Sequence, residues 1–115
     1  MNIYDKAHEL ARELRNCPEV VEFRNSSEKV QGNDLSAKMI KSFREIQMEA
    51  YSEHMKSGKV SEVTEKKVQS LASVISMNSD VASYLQAEGR FAIIWEDIIK
   101  ILNDAIGVNI DNNNI

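Results

Sequence analysis

Residues 77–107, MNSDVASYLQAEGRFAIIWEDIIKILNDAIG, decide how this chain folds. Asn78 is a good helix N-cap, and Asp80 follows in the first turn, near the positive end of the helix dipole. No proline interrupts the run, and Gly107 closes it. The spacing predicts one helix from Asn78 to about Ala105. Advancing about 100° per residue from Arg90 places Phe91, Ala92, Ile94, Trp95, Ile98, Ile99, Ile101, Leu102, Ala105 and Ile106 on an arc of roughly 180°. A surface helix needs an apolar stripe of about 100°. Either the rest of the chain wraps this helix on both sides, or part of it faces a second chain.

Length favours the second chain. About 28 residues at 1.5 Å each span roughly 42 Å, whereas a globule of this chain length is about 34 Å across. Overhanging apolar surface needs a cover. Burying Phe91 and Trp95 alone removes roughly 300–500 Å² from water. The expectation is a homodimer, in which Phe91, Trp95, Ile98, Ile99 and Leu102 form the interface and Met39 and Phe43 oppose them. Gly89 lies on the polar arc, where it costs up to about 1 kcal/mol against alanine. Close backbone approach or simple drift accounts for it.

Outward from this segment the chain reads as four more helices. Asn2 caps a first helix over Ile3–Asn16, whose stripe is Ile3, Ala7, Leu10 and Leu14. Pro18 starts a second, running to about Gln31, after which Gly32 suits a left-handed C-terminal position. Asn33 caps a third, with Leu35, Met39, Phe43, Ile46 and Ala50 as its stripe and Tyr51 and Met55 widening it, ending near Ser57-Gly58. Ser61 or Thr64 caps a fourth, with Val68, Leu71 and Ile75. Short loops imply antiparallel neighbours. The fold class is therefore all-α: five helices, a long antiparallel hairpin of the third and fourth, and a long C-terminal helix in a dimeric helical bundle. Residues 1–108 are expected to form one domain, with 109–115, rich in asparagine, a disordered tail.

The 115 residues carry a net charge of −4, are 43% hydrophobic and include one proline and one cysteine. An acidic chain is poorly suited to phosphate, so nucleic acid is disfavoured as a partner. Lys56, Lys59, Lys66 and Lys67 gather locally but alternate with Glu53, Glu62 and Glu65. No signal-like or membrane-spanning run is present, which makes the expected location cytoplasmic.

Catalytic and metal-binding patterns are missing. His8-Glu9-Leu10-Ala11-Arg12 begins like the helical zinc-protease motif, but Arg12 stands where the second histidine is needed. Neither His8 nor His54 has a glutamate three residues before it, so the di-iron bundle spacing is absent. Cys17, just before a helix-starting proline, reads as a small hydrophobe. No catalytic residue, metal or cofactor is assigned, and the chain is read as a non-enzyme.

The opening Asn2-Ile3-Tyr4-Asp5-Lys6-Ala7-His8-Glu9-Leu10-Ala11-Arg12, the middle Phe43-Arg44-Glu45-Ile46-Gln47, and above all Val74 to Phe91 resemble the YlbF/YmcA superfamily, within it the YheA-like branch of Gram-positive bacteria. The likeness covers about residues 2–106. Its most specific part is Asn-x-x-Val-x-x-Tyr-Leu-x-Ala-Glu-x-Arg-Phe, which starts at Asn78. The resemblance implies long helices, dimer-like assembly and an adaptor role in complexes acting on competence, sporulation, biofilm formation and RNA processing. The better-known members carry cysteines linked to iron–sulfur clusters; with Cys17 alone, that property is not carried over. The leading expectation is a homodimeric protein-interaction module, possible partners being itself and another protein. A structural scaffold and an RNA-binding accessory are the alternatives.

Overall fold

The computed structural model describes residues 2–108. It is all-α, with α1 (Ile3–Asn16), α2 (Pro18–Gln31), α3 (Asp34–Ser57), α4 (Glu62–Ser76) and α5 (Ser79–Ile106), and no strand among the described residues. The tail expected to be disordered, 109–115, lies outside them. Two compact units share these helices: the described residues up to Phe23 with those from Gln86 onward, and Arg24–Leu85. The division falls inside α2 and inside α5, not in a loop.

Side-chain caps set the helix starts. Asn2 accepts from the Asp5 N–H at 2.9 Å, and Asn33 from the Ser36 N–H at 3.0 Å. Ser61, not Thr64, caps α4, accepting from the Thr64 N–H at 3.2 Å. Asn78 accepts from the Val81 N–H at 3.1 Å. Each cap satisfies a donor that the first helical turn leaves unpaired. At the other ends, Gly58 (φ 81°) and Gly107 (φ 80°) are left-handed.

Gly32 departs from expectation: its φ is not positive. Asn33 already caps α3 one residue later, so the chain turns without a left-handed residue. The Gly32 N–H still donates to the Glu28 carbonyl at 3.0 Å, and that of Asn33 to the Val30 carbonyl at 3.2 Å. A methyl group on Gly32 would sit 3.3 Å from the Glu28 oxygen.

In the Arg24–Leu85 unit, α3 and α4 pack closely. They run antiparallel: Glu53 meets Ser61 and Thr64, Glu49 meets Lys67, and Ser36 meets Asn78. Val30, Ile75 and Val81 are buried, together with Ser36 and Thr64. The base of the hairpin is tied by Asn78, whose amide nitrogen donates to the buried Ser36 hydroxyl at 3.2 Å and lies 3.8 Å from the Met39 sulfur.

In the other unit, Phe91 stacks on Phe23 (centroids 5.1 Å apart, 15° between planes) and on Trp95 (6.0 Å, 28°). Arg90 pairs with Glu22. Ala87 is buried, whereas α1 buries none of its residues: Ile3, Ala7 and Leu10 are exposed and Leu14 is half-buried.

Asn78→Ala removes a cap and strips a partner from a buried hydroxyl. It is expected to cost about 2 kcal/mol in urea unfolding. The helical Gly89 has open space around it, so Gly89→Ala should gain up to about 1 kcal/mol. Gly58→Ala, at positive φ, should instead lose about 1 kcal/mol.

Candidate interaction surface

The long helix α5 changes character along its length. Val81 and Ala87 are buried, but from Phe91 to Ile106 no side chain is fully buried. Phe91, Ala92, Ile94, Ile98 and Asn103 are half-buried. Trp95 is 46% exposed, Ile99 36%, Leu102 48% and Ile106 54%. These last four recur at spacings of four, three and four and lie within about 60° of one another around the helix. They form a narrow, open apolar stripe about 16 Å long. Beside it run Glu96, Asn103 and Asp104; the Asp104 carboxylate accepts from Lys100 Nζ at 2.9 Å, which raises the Lys100 pKa.

Of the residues expected at an interface, Phe91, Trp95, Ile98, Ile99 and Leu102 thus share one face of one helix. Met39 and Phe43 belong to the other unit, on α3, and both are half-buried. Phe23, which completes the aromatic stack, carries no such signal in the sequence. Its helix shows only a thin stripe, and the partnership with Phe91 spans a long stretch of chain.

A second apolar surface lies on the hairpin. A groove of about 830 Å³ is lined from α3 by Phe43, Ile46, Gln47, Ala50 and Tyr51 and from α4 by Val68, Leu71 and Ala72. Arg44 supplies its one charge and donates to the Tyr84 hydroxyl at 3.2 Å. Met48 (72%) and Tyr51 (67%) stand open along it. Tyr51 and Val68 are both visible in the sequence as stripe residues. Their meeting depends on the hairpin register, which the tip enforces.

At that tip, half-buried Glu53 holds the start of α4. One carboxylate oxygen accepts from the Ser61 N–H at 2.7 Å and the other from the buried Thr64 hydroxyl at 2.5 Å. These bonds, the Thr64 hydroxyl first, hold its carboxyl below the ordinary 4.5.

Among the described residues no three of His, Cys, Asp and Glu are grouped to hold a metal ion. His8 lies on α1 beside Ala11, Arg12 and Arg15. The Cys17 thiol donates to Glu19 at 2.8 Å, which lowers the Glu19 pKa. No helix among the described residues is long and apolar enough to cross a membrane.

The sequence has clear relatives. The family described as "Control of competence regulator ComK, YlbF/YmcA" matches residues 3–107. A UPF0342 protein of Clostridium tetani is 57% identical over 110 residues, 96% of this chain and 95% of its own. One from Clostridium novyi is 48% identical over 106 residues, covering 92% and 93%. One from Halothermothrix orenii is 30% identical over 113 residues, covering 98% and 96%.

The Glu53 clamp has a definite pH signature. Its folded pKa is depressed, so its stabilising contribution is complete above about 4.5 and is lost as the pH falls through the folded value. Glu53→Gln should lower stability at pH 7 and flatten the loss between pH 5 and 3. Thermal melts across that range provide the check; parallel curves for the two proteins would refute the clamp.

Proposed function

The chain belongs to the YlbF/YmcA family, and from that premise we propose that it is a non-enzymatic, homodimeric protein-interaction module working as a regulatory adaptor in the cytoplasm. The observation that carries the proposal is the Phe91–Ile106 half of α5, apolar over half its girth and without one fully buried side chain. Surface of that kind is stable in water when another chain covers it. The interface assigned is Phe91, Trp95, Ile98, Ile99 and Leu102, with Met39 and Phe43 from the hairpin opposing them. A two-fold dimer is the commonest closed arrangement and covers both copies equally. Residues 1–108 are taken as the working module.

The regulatory part of the reading comes from the family description, control of the competence regulator ComK. An adaptor needs surfaces, not a reaction centre, and exposed apolar side chains also mark α1 and the hairpin, among them Tyr4, Met48 and Tyr51. These are sufficient to carry both a self-contact and a second protein.

Trp95→Asp with Ile99→Lys should halve the mass seen by sedimentation equilibrium at micromolar concentration while leaving the helical circular dichroism in place. Both side chains are open in the single chain, but Trp95→Asp also removes the stack on Phe91, so the circular dichroism is the control for an intact fold. A wild-type protein that sediments as a monomer would refute the proposal.

A further inference from the structure

Two open apolar surfaces, one on each unit, match each other in length and area. The α5 stripe from Trp95 to Ile106 is about 16 Å long, and the groove wall from Phe43 to Ser52 is about 14 Å. We infer that the α5 stripe of one copy occupies the α3/α4 groove of a second copy, and that the second copy returns the same contact. This inference rests on the self-association proposed above and specifies its geometry.

Area supports a reciprocal exchange. Trp95, Ile99, Leu102 and Ile106 are 36–54% exposed, and Met48, Tyr51 and Val68 of the groove are 43–72% exposed. At roughly 100 Å² open per large apolar side chain, one such contact covers about 700 Å². That is less than half of what a standard stable interface buries, about 1,600 Å². A single contact therefore falls short, and the two-fold pair reaches the required size.

Charge supports the pairing of unlike surfaces. The groove carries Arg44 and no acid. From Phe91 to Val108 the α5 segment carries Glu96, Asp97 and Asp104 against Lys100 alone. Two α5 segments laid together would bring like net charge together, whereas the groove lining adds no acid to the contact. The shape of the site agrees. Two antiparallel helices leave a groove in which a third helix packs, and here that groove is open.

The test uses full-length chains with Cys17→Ser, which keeps a hydroxyl donor for Glu19. One preparation carries Ile99→Cys and the other carries Val68→Cys or Tyr51→Cys. All three positions are exposed. Mixed and oxidised, the pair should form a disulfide-linked dimer about tenfold faster than either protein alone, because the contact raises effective concentration. Equally fast self-linking of Ile99→Cys would mean that α5 pairs with α5 and would overturn the inference. Faster linking of Leu10→Cys to Val68→Cys would place α1 in the groove and would also overturn it. So would a sedimentation dimer that links at none of these positions. A sedimentation monomer removes the self-association itself, so the two failures are told apart by mass.

Discussion

The α3/α4 hairpin is held in register by polar clamps at its two ends. At the tip, Glu53 takes the Ser61 N–H and the Thr64 hydroxyl; at the base, Asn78 reaches the buried Ser36 hydroxyl while capping α5. Apolar helix faces slide and rotate at little cost, because burial has no direction. Directional bonds between buried or half-buried groups do not. Thr64 and Ser36 are both buried, which makes their bonds costly to leave unmade. The groove walls then face each other because the clamps fix which turn of α3 meets which turn of α4.

Helix boundaries were legible because each is written locally. Asn2, Asn33 and Asn78 cap as their positions imply, Ser61 takes the cap that its sequence leaves open between it and Thr64, and Pro18 opens α2. Gly32 misleads because glycine permits a left-handed residue without requiring one, and the cap at Asn33 leaves no room to use it. The antiparallel pairing of α3 and α4 follows from a short loop. The Glu53 clamp was not legible, since a glutamate eight residues before a serine carries no local signature.

Exposure was the least legible property. The α1 stripe is as regular as any in the chain, yet none of its residues is buried. The same pattern in α4 buries Ile75. Apolar periodicity states that a face should be covered and leaves the covering element unnamed. For α5 the signal was the width of the arc, and width survives into the structure as open Trp95, Ile99 and Leu102. The aromatic stack of Phe23, Phe91 and Trp95 was half visible, as two large rings four residues apart on α5. How far the five expected interface residues on α5 act together with Met39 and Phe43 is a matter of assembly, which single-chain periodicity does not encode.

The line dividing the two units crosses α2 between Phe23 and Arg24 and α5 between Leu85 and Gln86, within continuous helix each time. A helical hydrogen-bond ladder carries the main chain across both crossings, so a protease meets no slack tether there. Nicking should concentrate instead at the Gly58–Val60 bend and around Cys17. A cut at either border would fall inside a helix and not in a loop.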